Sequence, residues 1–475
     1  MNQPTLYNPS DNPSSTALKR ATLVVTTLAS FLDPFMGASV NVALPSIGHD
    51  LTMSAVLLGW VNTAFLLSAA IFTVPFGRLG DIYGRKKIYM IGVCIFSSAS
   101  VFLALSVSSS MLILFRVMQG LGASMAFATR LAILISVFPA NERGRVLGIN
   151  VAAVYLGLST GPFLGGLITQ HLGWRFIFWF NVPIGAMMLF LIFWLLKGEW
   201  AEEKGMKFDL TGSIILGLSL LATMYGFSKL PAVYAFALIA VGVLGIVAFI
   251  KFELRIDEPI IDINLFRRNT VFAFSNLAAM INYAATFAVS FLMSIYLQRV
   301  KGFSPQITGI IMVSQPVVQA IFSPSAGRLS DRIEPRTVAS IGMSLTLIGL
   351  LLLSFLAATT PLYYIIGCFV LLGFGFALFS SPNTNAIMSS VDRRFYGLAG
   401  AMVSTVRQTG MMVSMGIVMM MLALYLGQAG IDLSTLGRFV TSMRTILLIF
   451  VFLCFGGIFA SLARGKMKQR TTVQG

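Results

Sequence analysis

The chain has 475 residues, 57% of them hydrophobic and only 11% charged, with a formal net charge of +16. A soluble domain carries about a quarter charged residues, so this composition disfavours a soluble enzyme, a disordered chain and a secreted disulfide scaffold. The apolar residues gather in runs of roughly 18 to 28, the length a helix needs to cross a hydrocarbon core of about 30 Å. The composition therefore predicts an all-α, polytopic membrane protein.

In chain order the apolar runs lie near 20–44, 54–76, 88–106, 111–137, 146–168, 176–196, 210–228, 232–250, 270–297, 306–326, 337–357, 362–389, 398–426 and 443–463. Residues 1–17 are polar, and no basic stretch leads to a cleavage site. The first run is also longer than a signal-peptide core, so it reads as a retained span. Taking alternate connections as one face, 24 Lys and Arg fall on that face. Only five fall on the other: Arg175, Lys229, Arg299, Lys301 and Arg438. Arg116, Arg130, Arg407 and Arg444 lie within spans or at a span edge. The positive-inside rule then predicts an even number of spans with both ends cytoplasmic. It also removes the nucleic-acid reading of the basic charge, because that charge is spread along one membrane face. Cys94, Cys368 and Cys454 fall in three different runs and match no metal spacing, so neither a metal nor a cofactor is expected.

One connection is written twice. Gly77-Arg-Leu-Gly-Asp81-Ile-Tyr-Gly84-Arg85-Lys-Lys87 joins the second and third runs, and Gly327-Arg-Leu-Ser-Asp331-Arg-Ile-Glu-Pro-Arg336 joins the tenth and eleventh. Duplicated bundles of this kind mark secondary transporters, whose substrate site lies at the repeat interface. Glycine allows close helix approach, Asp can cap the helix that follows, and the basic cluster anchors the loop at anionic lipid.

At these residues the chain resembles the major facilitator superfamily, whose loop signature 77–87 matches nearly completely. Further motifs follow in order. Leu112–Gly120 looks like the fourth-span motif built on Arg116, Gln119 and Gly120. The stretch from Gly157 through Gly161, Pro162, Gly165 and Gly166 is similar to the fifth-span motif associated with antiporters. Trp174–Gly185, with Asn181 and Pro183, and Arg407-Gln408-Thr-Gly410 resemble signatures of the fourteen-span drug:proton antiporter branch. The resemblance implies two six-helix bundles with two inserted central helices. The corresponding boundaries are an N-tail at 1–19, a bundle at 20–196, the inserted pair with flanking loops at 197–269, a second bundle at 270–463 and a C-tail at 464–475.

Of the 17 acidic residues, Asp33 alone lies deep in a run, about thirteen residues or roughly 20 Å from the inner end. An intramembrane carboxylate is costly and is usually paired, water-lined or functional. Two readings stand: a proton carrier, or a cap for a helix break at Pro34. In the resembling family the first-span carboxylate comes five residues before the Asn of N-V-A-L-P, and here that position is Met36. Asp33 sits three residues earlier, close to the same helix face.

Arg116 and Arg130 are fourteen residues apart and project to roughly the same side of the fourth span. For Arg116 the resemblance implies polarisation of a nearby carboxylate. Arg130 either faces the interior or snorkels to the interface. Asp33, Arg116, Gln119, Arg130 and Arg407 are the candidates for proton and substrate coupling. Gly77, Asp81, Gly84, Arg85, Gly161, Pro162, Gly165, Gly327 and Asp331 are those for conformational gating, with the 157–166 face read as a bendable contact between the bundles. Three deep Arg against one Asp favour an anionic, zwitterionic or neutral amphipathic substrate over a lipophilic dication. The expected activity is proton-coupled export of small organic molecules by a monomer in the cell membrane. The alternative is import of a vitamin or organic anion on the same scaffold. No nucleophile–base pair or phosphate loop points to an enzyme.

Overall fold

The structure, a computed structural model, describes residues 13–196, 198–201, 208–256, 266–267, 269–391, 396–427 and 429–465. Fourteen helices in it are long and apolar enough to cross a membrane. They are α1 (Pro13–Asp50), α2 (Ala55–Tyr83), α3 (Arg85–Ala104), α4 (Ser109–Val137), α5 (Ala140–His171), α6 (Arg175–Leu195) and α7 (Leu210–Lys229). Then come α8 (Val233–Glu253), α9 (Thr270–Val300), α10 (Pro305–Ser330), α11 (Pro335–Ser354), α12 (Leu362–Ser389), α13 (Tyr396–Leu426) and α14 (Leu436–Ala463). Many run past the apolar residues that announce them, because polar caps complete their first turns. Ser54 accepts from the Leu57 N–H, Ser108 from Met111, Asn269 from Phe272 and Ser304 from Ile307.

Helices α1–α6 and α9–α14 form two six-helix bundles that share one packing plan. In the first, α1 lies on α5, α4 on both α2 and α3, and α3 on α6. In the second, α9 lies on α13, α12 on both α10 and α11, and α11 on α14. The same glycines make the close approaches in both. Gly92 and Gly122 bring α3 against α4, as Gly342 and Gly375 bring α11 against α12. Gly120 meets the Phe65 carbonyl, as Gly373 meets that of Gln315. Gly161 lies on the Phe35 carbonyl, as Gly410 lies on that of Met280. Small residues at helix crossings are the membrane's substitute for a hydrophobic driving force between helices, so the duplicated sequence becomes duplicated packing.

Helices α7 and α8 pack on each other through Gly226, Gly242 and Gly245, and touch α2 and α13 from the side. The outer face of α8 carries exposed Val241, Leu244 and Val247, a surface suited to lipid. The bundles meet along α2–α13 and α5–α10. At the end away from the α2–α3 connection, the Ala55 N–H donates to the Ala429 carbonyl at 3.1 Å and Gln298 to the Val42 carbonyl at 2.8 Å. Arg299 reaches the Pro45 carbonyl at 2.8 Å, and His171 and Gln306 lie 3.1 Å apart. Deeper in, Gln408 donates to the Thr73 hydroxyl at 3.2 Å.

Two second-bundle helices are interrupted. In α9, α-helix Thr270–Thr286 is followed by Val289–Ile295 and a π turn at Tyr296–Val300, and Ser414 accepts the Ala288 N–H at 3.1 Å. In α10, Pro305–Met312 and Ser314–Arg332 flank a break at Val313. Irregular backbone at membrane depth is tolerated where it is buried in protein or lines a cavity.

Candidate functional site

The deep carboxylate is paired. Arg130 Nη1 donates to Asp33 Oδ2 at 3.0 Å, with both side chains mostly enclosed, and the guanidinium also stands over the Phe127 ring at 5.6 Å. Arg130 therefore faces the interior and does not snorkel. Arg407 of the second bundle lies within electrostatic reach of the same carboxylate, while its own Nε is buried with no hydrogen-bond partner. Fully buried Tyr89 stands within the field of both Asp33 and Arg130 and donates to the Val25 carbonyl at 3.3 Å. Asp33 and Arg130, each chosen from sequence, thus pair between α1 and α4, and Arg407 of α13 lies within electrostatic reach of them.

Arg116 and Gln119 are elsewhere. Arg116, 2% exposed, donates to the Val61 carbonyl at 2.8 Å and to Gln119 Oε1 at 2.6 Å, and covers the Phe65 ring at 4.6 Å. Gln119 continues the chain to the Ser100 hydroxyl at 2.9 Å. This is a tie between α2, α3 and α4. Its polar partners are a carbonyl and an amide, and among the described residues no carboxylate lies within ion-pair distance of Arg116. The carboxylate partner implied by the resemblance is absent from this arrangement, because the carboxylate of α1 has gone to Arg130, nearly four turns away.

Met36, at the family's carboxylate position, is buried, and its sulfur receives the Asn181 amide at 3.3 Å. Asn62, which sequence reading passed over, is joined here to the Asn of the N-V-A-L-P segment. Asn62 of α2 donates to Asn41 of α1 at 2.7 Å, both nearly fully buried.

The α2–α3 connection departs from the expected capping. Asp81 pairs with Arg85 one turn on, at 2.7 Å, and Arg85 reaches Ser136 at 3.1 Å. The cap of α3 comes from a remote segment: Glu199 accepts the Lys86 N–H at 2.8 Å and the Trp200 carbonyl accepts that of Arg85 at 2.8 Å. Gly84 makes this possible, with φ +118 and with the space its side chain would fill taken by the Glu199 carboxyl. Gly77 lies open to Ala128. In the second copy Gly327 faces Ser381, and Arg336 pairs with Glu334 at 2.9 Å. The side chain of Asp331 lies outside the described residues.

The fifth-span glycines also need correction. Gly157, Gly161 and Gly165 all pack on α1, against Phe31, Phe35 and Ser39, inside the first bundle. Pro162 and Gly166 face the second bundle, Pro162 through its carbonyl against Gly309 and Gly166 against Pro305 and Gln306. A helical stripe of period about four selects one face of α5, and that face belongs to α1. The between-bundle contact is carried by the residues that interrupt the stripe.

Arg464, assigned to the C-tail by its position after the last run, is 2% exposed. It donates to Asn383 at 3.0 Å, Ser275 at 3.2 Å and the Pro335 carbonyl at 2.9 Å, gathering α9, α11 and α12 at the end of α14. Among the described residues, no group of three or more His, Cys, Asp or Glu is placed to hold a metal ion.

Two similarly built helical bundles, inserted central helices and a charged cluster between the bundles define a secondary transporter of small molecules. The family model described as Major Facilitator Superfamily matches residues 26–256 and 276–473, and the chain belongs to that superfamily. It is 32% identical over 391 residues to the riboflavin transporter RibZ of Clostridioides difficile, covering 81% of this chain and 84% of that one. It is 32% identical over 411 residues to the multidrug resistance protein Stp of Mycobacterium tuberculosis, covering 85% and 76% respectively. The tetracenomycin C resistance and export protein of Streptomyces glaucescens is 29% identical over 376 residues, 78% of this chain and 70% of that one. Among solved structures, a bacterial homologue of the human lysosomal transporter Spinster, inward-facing and unoccupied, matches with TM-score 0.64 at 18% identity. That match covers 96% of this chain and 98% of that one and speaks for the fold. The protein is a multi-pass membrane transporter and not an enzyme.

Proposed function

We propose that the protein exports small amphipathic organic molecules in exchange for protons, by alternating access across the cell membrane, as a monomer with both termini cytoplasmic. The observation that carries this reading is the Asp33–Arg130 ion pair at 3.0 Å, placed between the bundles with Arg407 opposite. A carboxylate in that position changes the charge of the bundle interface each time it gains or loses a proton. With Asp33 ionised, its charge attracts Arg407 and draws the two bundles together at this level. With Asp33 protonated, Arg130 and Arg407 are left facing one another as like charges, and that level of the interface is pushed apart. A cycle in which the deprotonated form carries substrate outward and the protonated form returns inward uses both states. The named functions of the multidrug and tetracenomycin relatives support the exporting direction.

A second reading has its own observation. Arg407 lacks a partner at its buried Nε, and the riboflavin transporter shares 32% identity. Together these favour a vitamin or an organic anion as the cargo, which is the cargo of the import reading.

Everted membrane vesicles carrying the full chain and a pH-sensitive dye test the proposal. Substrate added to energised vesicles dissipates the proton gradient if the protein exchanges the two. The variant Asp33→Asn abolishes that response while the protein stays inserted. Full retention of proton-coupled transport by Asp33→Asn removes Asp33 from the proposed role. Substrate entry into intact cells, driven by the gradient, supports import instead.

A further inference from the structure

A cavity of about 80 Å³ lies where α1, α5, α9, α10 and α12 meet, walled by Ala38, Leu158, Pro162 and Phe369. Its polar atoms come from Ser290 and from Gln315 and Gln319, one turn apart on α10. Met312 and Pro316 also line it, and Pro316 has no N–H to give to the Met312 carbonyl four residues before it. One turn past Gln319 is Ser323, 3% exposed. Tyr155 of the first bundle turns its hydroxyl toward Ser323, Gln319 and Ser380. Gln315, Gln319 and Ser323 thus form a row of neutral polar groups on one face of α10, covered by a tyrosine from across the interface.

Polar side chains enclosed at membrane depth are costly unless they are hydrogen-bonded, so a group entering this row must bond to it in turn. No lining residue is ionisable, so a charged group entering here meets no counter-charge and pays its full desolvation. An uncharged donor or acceptor is complemented on several sides. We propose that this row is a substrate subsite for an uncharged hydrogen-bonding group (an amide, imide or hydroxyl) carried on an apolar or aromatic body, with Tyr155 as its inner cover. The subsite rests on the transporter reading and is physically separate from the Asp33 pair. Substrate recognition and proton handling therefore occupy different residues. The apolar walls of Leu158, Pro162 and Phe369 hold the body, and the α10 row reads the polar group. A ligand that bonds to Gln319 replaces Tyr155 as its neighbour, so occupancy also loosens a contact between the bundles.

The test is equilibrium binding to the full-length protein in lipid nanodiscs. Chloramphenicol and linezolid serve as uncharged probes, and tetraphenylphosphonium and naphthalene-1-sulfonate as charged ones. The uncharged probes bind, and Gln319→Leu and Ser323→Ala each weaken them by about five- to tenfold, the value of one hydrogen bond. Binding of the charged probes is weak and unmoved by either variant. Ser323→Ala removes a single oxygen, so its fold is kept even where Gln319→Leu disturbs packing. Binding confined to charged probes, no binding by either uncharged probe, or unaltered uncharged-probe affinity in Ser323→Ala overturns the subsite. Asp33→Asn is assayed for proton coupling only, and the Ser323 dependence of uncharged-probe binding is measured in the chain that keeps Asp33, so the two proposals are judged by different measurements. Lost coupling judges Asp33 alone, and lost Ser323 dependence judges the subsite alone.

Discussion

The Asp33–Arg130 pair can be weighed by a double-mutant cycle of Asp33→Asn, Arg130→Gln and the pair together. The two groups touch at 3.0 Å with side chains 14% and 17% exposed, close to the buried limit. Removing one member of such a pair leaves an uncompensated charge and costs about 3 kcal/mol, whereas removing both is far less costly than the sum. The expected coupling energy is about 2 kcal/mol, well above the roughly 0.5 kcal/mol that separates independent sites from interacting ones. The surroundings also predict an order. After Arg130→Gln, Asp33 still has the positive field of Arg407; after Asp33→Asn, Arg130 and Arg407 remain as two cations without a counter-charge. Asp33→Asn should therefore be the more damaging single change, by about 1 kcal/mol for charges still partly screened. Loss of the Arg130 contact with Phe127 works in the other direction, worth about 0.5 kcal/mol. Reversible unfolding in mixed detergent micelles, followed by tryptophan fluorescence, gives all four stabilities. Additive single effects would refute the pairing, and a costlier Arg130→Gln would refute the part assigned to Arg407.

Arg116→Leu should lower stability by about 3 kcal/mol, because the Val61 carbonyl and Gln119 lose a charged donor in a fully enclosed site. Neutral-probe binding in what folds should be unchanged, and a selective loss of proton coupling at intact stability would place Arg116 in the coupling machinery after all. Gly84→Ala should cost about 2 kcal/mol from backbone conformation alone. Pairing it with Glu199→Ala should recover only the steric part, read as a rise in unfolding midpoint over Gly84→Ala. Full recovery would mean that the positive φ is not the constraint.

The span pattern and the two bundles were legible because they rest on rules with a period. Runs of apolar residues count helices, and the repeat of Gly77–Asp81 at Gly327–Asp331 announces a duplicated architecture. The same spacing of about 250 residues reappears at Gly92 and Gly342, and at Phe65 and Gln315, where the structure shows equivalent helix crossings. The individual glycines were not singled out from sequence, since a lone glycine in an apolar run carries no sign of its neighbour. Glu199 and Trp200 were hidden for a related reason. They lie in a connection more than a hundred residues from the helix they cap, and nothing local distinguishes them from a solvated loop. Arg464 lies just past the last helix as its position predicts, but its burial was not legible there. A basic residue just past an apolar run counts toward the inner face, yet here its fork of donors is folded back onto Asn383, Ser275 and the Pro335 carbonyl.

The first span shows how a motif can keep its frame while its charge moves. The N-V-A-L-P segment is intact, and Asn41 is fixed by Asn62 across the helix contact. At the carboxylate position Met36 is enclosed with Asn181, an environment of one amide and apolar neighbours that offers no cation. A carboxylate placed there would be desolvated without compensation. One turn back along α1, Asp33 meets Arg130, a basic residue outside the motifs that carried the resemblance. Acid and base occur together here, and each removes the cost of the other. That mutual need is a stronger reason to treat them as one device than either residue's place in a motif. Arg407 of α13 lies within electrostatic reach of Asp33, so the charge state of the pair is felt by the opposite bundle, as the proposed cycle requires.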